Sequence, residues 1–179
     1  MEIIKNPKMP RLYRDVVLTE KIDGTHGALF IDTAAHTFQA ASRNRFVIPG
    51  DDNFGFAAWA YSHEEELIET LGDGIHRGEW WGAGIQRRYD MDRKRFSLFA
   101  THRFDWLDVS HIDGLGLVPI LYQGPYTDDL MAFELALLEQ EGSKAAPGFG
   151  APEGIVMYHT AARLMFKYTL GGDGHKGAQ

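Results

Sequence analysis

The stretch 19-TEKIDGTHG-27 decides how this chain is read. It follows the apolar segment 16-VVL-18, so it marks the end of a core strand. There it sets Lys21 between two acids, Glu20 and Asp23, and ahead of a D-G turn signal. Lysine is ordinarily a surface charge, and one reason to place it at a strand end is that Lys21 is a nucleophile. An amine attacks only when unprotonated, so its pKa must fall well below about 10.4. Partial burial and nearby cations have that effect. Small residues following the strand would let a triphosphate approach closely. K-x-D-G alone is a weak signal: with three fixed positions at about one in twenty each, roughly one chain of this length in fifty contains it by chance. The bland alternative is an edge-strand lysine before a turn, so the remaining segments must decide.

Working outward, short strand-like runs occupy 15–23, 27–32, 37–42, 75–81, 95–104, 117–123, 154–160 and 163–170. Two stretches read as helices. One is 53–71, broken near Ser62. The other is 128–141, with Thr127 as N-cap and Leu130, Phe133, Leu137 and Leu138 at core-facing spacing. Many strands with two helices and no regular alternation predict an α+β fold, mostly antiparallel sheets with flanking helices. The segment 142-GSKAAPGFGAPEG-154 reads as a loop and 171-GGDGHKGAQ-179 as a frayed tail. The expected organisation is therefore one domain over 1–170 and a flexible tail over 171–179, a length that can bury a core.

The chain of 179 residues is 44% hydrophobic and 12% aromatic, which fits a globular protein. It has no cysteine, which excludes a disulfide framework and thiolate metal sites and suits a reducing compartment. No signal-like or bilayer-length apolar run is visible, so the expected location is the cytoplasm. The net charge of −7 argues against a general nucleic-acid coat but leaves room for a local basic patch. The run 86-QRRYDMDRKR-95 is either such a patch or a solvated charged loop.

Further candidates follow in chain order. Arg43 and Arg45 in 41-ASRNRF-46 suit a phosphate or a 3′-end, or are surface arginines. Glu79 in 77-RGEWWGAGIQ-86 lies in a strand beside tryptophans. It can serve ribose hydroxyls or a metal if buried, and is inert if its head is in solvent. Phe99, in a strand alternating aromatic and small residues, suits a purine face but is equally a core residue. Glu153 opens a strand and suits Mg²⁺, a hard cation that prefers oxygen ligands, or is a plain loop acid. Lys167 sits inside an apolar strand, where its head needs a counter-charge such as phosphate.

The order K-x-D-G, S-R, G-E-W-x-G-x-G-I-Q, F-x-x-F, E-G-x-V and a lysine in an apolar strand is far more specific than any one part. It resembles the covalent nucleotidyltransferase superfamily of polynucleotide ligases and mRNA capping enzymes. Within it, 20-EKIDGT-25, 78-GEWWGAGIQ-86 and 118-VPILYQGPY-126 are similar to the ATP-dependent RNA ligase branch of phage RNA ligases and kinetoplastid editing ligases. The resemblance runs from about Val17 to Leu170 and covers an adenylation domain only. It implies the nucleotidyltransferase fold and an RNA-repair ligase using ATP with Mg²⁺ or Mn²⁺. Lys21 would form a lysyl-AMP. Glu20 and Ile22 would border the adenine and Phe99 would stack on it. Arg43 and Glu79 would serve the nucleotide or RNA end. Glu153, with Asp23, would organise the metal, and Lys167 would contact the α-phosphate. The implied partners are RNA ends, including nicked duplex.

The chain departs from the pattern at Thr169, where the branch often has a second lysine, and at His26, often Asn. The branch also varies between Asp and His at position 23. Many relatives continue into a C-terminal domain, so either this minimal domain performs all three steps or it performs some of them and an accessory protein supplies the rest. The alternatives are a DNA ligase or guanylyltransferase, and a binding module that holds a nucleotide or RNA end without chemistry.

Overall fold

In the computed structural model the described residues are 8–52, 54–99 and 107–171. Among them the strands are β1 Asp15–Lys21, β2 Thr25–Asp32, β3 Thr37–Ala41, β4 Phe46–Val47, β5 Gly74–Gly82, β6 Lys94–Leu98, β7 Leu115–Leu117, β8 Ile120–Pro125, β9 Gly154–His159 and β10 Leu164–Thr169. The helices are α1 Phe56–Ser62, α2 Glu64–Leu71 and α3 Leu130–Glu141. The strands form two sheets, in the orders β10-β9-β1-β8 and β4-β3-β2-β5-β6-β7. Pairing is antiparallel except between β6 and β7. The α+β reading with mostly antiparallel sheets holds.

Each sheet buries one face because strand side chains alternate sides. In β1, Val16 and Leu18 pack with Ile155, Met157 and the α3 residues Leu130, Met131 and Leu138. Val17, Thr19 and Lys21 take the opposite face by alternation. In the larger sheet Leu29, Ile31, Ala40, Trp80, Phe96 and Leu98 pack against Phe56, Ala57 and Ala60 of α1 and Leu67 of α2. A third cluster joins Ile22, Trp81, Tyr89, Val118 and Ala146, with Phe99 and Phe149 against it. The K-x-D-G segment is the crossover itself: β1 of one sheet ends at Lys21 and β2 of the other starts at Thr25.

Several details differ from the sequence reading. The run 117–123 is two strands in two sheets, since β7 pairs with β6 and β8 with β1. Pro119 lies at the switch, where it cannot donate to a ladder; its carbonyl instead accepts the Glu20 N–H at 3.0 Å. The first helix breaks at His63, next to the expected Ser62. At α3 the N-cap is Asp129, not Thr127, which contributes only its carbonyl to the Leu130 N–H. The buried face of α3 is Leu130, Met131, Glu134 and Leu138, while Phe133 is 63% exposed. That helix is apolar on nearly every side, so spacing could not select its face. The tail beyond Gly171, Asn53 of the first helix and residues 100–104 of the expected strand 95–104 lie outside the described residues. Among the described residues no helix is long and apolar enough to cross a membrane.

Candidate active site

Lys21 is the last residue of β1, and its side chain is 22% exposed. Its Nζ is ion-paired with Oε1 of Glu153, which precedes β9. The register explains the meeting, because Lys21 pairs with Gly154, which pairs with Thr169 of β10. Gly154 has φ +155, and a Cβ there would lie 2.0 Å from the Tyr168 carbonyl oxygen. Only glycine lets β9 begin there, directly after Glu153. The other carboxylate oxygen of Glu153, Oε2, is buried with no hydrogen-bond partner.

Glu79 enters the same corner from β5. It lies opposite His26 of β2 and Ser97 of β6. Its Oε1 accepts the Gly24 N–H at 3.1 Å. Burial pushes its carboxyl up to about 7, helped by the charges of Glu153 and Asp23 and opposed by Lys21 and the Gly24 N–H. Gly24 is needed for space: a Cβ would fall 2.5 Å from the Trp80 carbonyl oxygen and 2.8 Å from Cβ of Trp81.

Asp23 completes the corner. Its N–H donates to the Tyr89 hydroxyl at 2.8 Å, and its Oδ2 accepts from Nε of Arg87 at 3.1 Å. Nη1 of Arg87 also donates to the Ala151 carbonyl at 3.1 Å, so this arginine ties the turn to the loop before Glu153. Tyr89 is buried, with its ring edge-on to Trp81 at 4.9 Å and 4.8 Å from Phe149. Burial pushes its phenol up. Gln86, Arg88, Tyr89 and Asp90 all have positive φ, between 43° and 61°. Four non-glycine residues in that region are strained, and here packing of Tyr89 holds them. Sequence reasoning missed Arg87 and Tyr89, reading the segment as a patch or a charged loop. The available signal was an aromatic residue embedded among the charges.

The other candidates scatter around this corner. Ile22 is buried in the third cluster and Phe99 is half-buried against it, its ring 6.0 Å from that of His26. Together they form an apolar wall beside Lys21. Glu20 is 1% exposed and turned to the opposite side of β1. Its carboxylate accepts from the Ser143 hydroxyl at 2.6 Å and from the N–H groups of Lys144 at 2.7 Å and Ala145 at 2.8 Å. Arg43 is exposed after β3. Burial, then the charges of Arg43 and Arg77, hold the His26 imidazole below its usual range, and its Nδ1 is buried without a partner. Lys167 lies on the Lys21 face of its sheet, opposite Val156, but on the edge strand β10. It is exposed, as are Leu164, Met165 and Phe166, so the apolar run is not a buried strand and the lysine needs no counter-charge.

The structure thus gathers Lys21, Glu153, Glu79 and Asp23 at one corner, with Ile22 and Phe99 alongside. Arg43 and Lys167 are exposed, and Glu20 braces the loop 143–146. An amine flanked by carboxylates and an apolar wall can accept a group from a nucleotide, its base on the wall and its phosphates at the amine. Among the described residues no three of His, Asp and Glu form a metal-binding group. The orphaned Oε2 of Glu153 offers one hard oxygen, which fits a cation that keeps most of its waters.

Comparison with known proteins identifies the family and the fold. The sequence model of the family described as RNA ligase matches residues 14–169. No curated protein matches the chain. Among solved structures, a mutant of Naegleria gruberi RNA ligase with ATP and Mn is similar at TM-score 0.64 and 18% identity, covering 89% of this chain and 51% of that one. Another mutant, with AMP and Mn, has TM-score 0.63 and 18% identity over 88% and 50%. The same enzyme with PPi has TM-score 0.63 and 18% identity over 93% and 56%. The chain therefore spans about half the length of these structures, and at this identity the likeness establishes the shared fold.

Proposed function

Since the chain belongs to the RNA ligase family, we propose that it is an ATP-dependent RNA ligase working through a lysyl-AMP on Lys21. The observation that carries the proposal is the corner at the K-x-D-G turn, where Lys21 meets Glu153 and Glu79 within the matched residues. In the first step the neutral Nζ attacks the α-phosphorus of ATP. An N–P bond forms, the bond from the α-phosphorus to the bridging oxygen breaks, and pyrophosphate leaves with the electron pair. The amine proton passes to solvent or to a neighbouring carboxylate. AMP then passes to an RNA 5′-phosphate, and a 3′-hydroxyl displaces it and seals the strand.

Each residue has a proposed part. Ile22 and Phe99 hold the adenine, with Glu20 bracing the adjoining loop. Glu79 serves the ribose: near neutral pH it can either accept or donate a hydrogen bond. Arg43 and Lys167 bring positive charge to the phosphates from the rim. Glu153, with Asp23 through water, would hold Mg²⁺ or Mn²⁺, which when bound offsets phosphate charge. Asp23 also orients the turn through Arg87.

RNA ends are the proposed substrate, nicked duplex among them. An accessory protein that helps hold RNA belongs to the proposal because the net charge of −7 gives weak general attraction for polyanions. So does a cytoplasmic location, which suits a chain without cysteine. The test is sealing of a 5′-phosphate to a 3′-hydroxyl with ATP and Mg²⁺, on RNA and on DNA, with GTP in parallel. RNA sealing that needs ATP and stops on chelation is expected. Sealing of DNA alone, or nucleotide transfer only from GTP, would assign a DNA ligase or guanylyltransferase. Nucleotide binding with no covalent step would leave a binding module.

A further inference from the structure

The larger sheet packs one face on its helices and turns the other away, and that second face is mixed, with Phe30, Phe46 and Ile75 set among His26, Gln39, Arg77 and Glu79. Along it His26, Ala28 and Phe30 of β2 stand opposite Glu79, Arg77 and Ile75 of β5. Ala28 also pairs with Ala41 of β3, which pairs with Phe46 of β4. Alternation puts all of these on one side, because Leu29, Ile31, Ala40 and Val47 point to the core. Phe46 is 53% and Ile75 44% exposed. The rings of Phe30 and Phe46 meet edge to face at 5.2 Å. Buried Ala28 and Ala41 make a low floor beside them.

The cations point to the occupant. Arg77 is exposed on this face and Arg43 is exposed where β3 ends. Both lie close enough to His26 for their charges to act on it. Neither has an ion-pair partner among the described residues, whereas nearby Arg45 is held by Asp51 at 2.9 Å. In a chain of net charge −7, two guanidinium groups without an ion-pair partner among the described residues, beside exposed Phe46 and half-buried Phe30, complement a polyanion that offers flat apolar surfaces. The face is continuous with the catalytic corner, since Phe30 and Ile75 lie four residues along their strands from His26 and Glu79, roughly 13 Å. Duplex RNA hides its bases inside the stack, and only unpaired bases can lie on aromatic side chains.

We infer that the face bearing Phe30, Phe46, Ile75, Arg43 and Arg77 is a platform for single-stranded RNA, stacking unpaired bases next to the end presented at Lys21. The inference rests on the ligase reading for what happens at Lys21, and it adds that, among the proposed RNA ends, those unpaired at the break are preferred to nicked duplex. Phe30, Phe46, Ile75 and Arg77 supply stacking and phosphate contacts and take no part in forming the lysyl-AMP, whereas Arg43 stands where the platform meets the catalytic corner.

The test is fluorescence anisotropy of the full chain with a labelled single-stranded oligoadenylate and with an RNA duplex of equal length, each over a salt series. The single strand should bind more tightly. Phe46→Ala and Phe30→Ala should each weaken it about tenfold, and Phe46→Trp should restore it. Arg77→Gln should lower the slope of log affinity against log salt by about 0.7. Circular dichroism of each variant confirms folding. Equal binding of duplex and single strand, or folded Phe46→Ala with unchanged affinity, would overturn the platform. So would a wild-type dimer that Phe46→Ala splits, because the face would then be a protein interface. Lysyl-AMP formation by the wild type is measured alongside. Single-strand preference without lysyl-AMP sinks the ligase reading and keeps the platform, and lysyl-AMP without the preference does the reverse.

Discussion

Glu79→Gln is expected to stabilise the protein at alkaline pH and to leave it unchanged in acid. The folded chain holds this carboxyl at about 7, against 4.5 in the absence of burial. Below pH 4.5 the folded and unfolded states both carry the proton, so Glu79 contributes no pH-dependent difference. As pH rises through 7 the unfolded chain ionises early and the folded chain late. The folded state is progressively penalised, and the penalty levels off at about 3 kcal/mol. Glutamine has no charge to bury and keeps an oxygen for the Gly24 N–H, now bonded at 3.1 Å. The difference between variant and wild type should therefore grow from near zero at pH 4.5 to about 3 kcal/mol at pH 8. For a chain of 179 residues that is roughly 6–12 °C in Tm. The assay is urea denaturation at a series of pH values, without nucleotide or divalent cation. A difference that does not change with pH, or a variant less stable than wild type at pH 8, would refute the claim that Glu79 is a desolvated carboxyl at the Lys21 corner.

Three further substitutions probe the frame around that corner. Glu20→Ala strands the Ser143 hydroxyl and the N–H groups of Lys144 and Ala145, and should cost about 2–5 kcal/mol by chemical denaturation; a loss under 1 kcal/mol would mean that the loop 143–146 stands without it. Gly24→Ala puts a methyl against the Trp80 carbonyl and should destabilise by about 1–3 kcal/mol, read as a lower Tm, with an unchanged Tm showing that the turn has room. Arg87→Ala breaks an ion pair whose partners are 36% and 30% exposed, and should change stability by less than about 1 kcal/mol; a much larger loss would make the 86–90 loop a structural latch.

Local chemistry was legible and tertiary placement was not. The strand end at Lys21, the D-G turn and the E-G before β9 are local features, and each appears where the spacing predicts it. That Lys21 and Glu153 belong to one site came from the order of motifs and their resemblance to a family, but their contact was not legible, since 131 residues of chain lie between them and only the β1–β9 register joins them. Edge position explains Lys167: an apolar run reads as a buried strand, yet β10 has a neighbour on one side only and leaves Phe166 and Lys167 both exposed. The resemblance implied that Glu20 borders the adenine, whereas strand alternation turns its side chain to the opposite side of β1, onto the loop 143–146. Tyr89 was hidden for the opposite reason, because charged neighbours masked an aromatic residue whose burial depends on Trp81 at the end of β5 and on Phe149 from a distant loop. The split at Pro119 shows a single local cue, a missing N–H, outweighed in the reading by the apolar residues around it.

The central claim is that Lys21 takes AMP from ATP, and intact-mass spectrometry tests it most directly. Wild type and Lys21→Ala are incubated with ATP and Mg²⁺ and weighed, with circular dichroism to confirm that the variant folds. The account predicts a mass gain of one AMP on the wild type, absent in Lys21→Ala and reversed by added pyrophosphate. A folded wild type that gains no AMP, or a Lys21→Ala variant that gains it as readily, would contradict it.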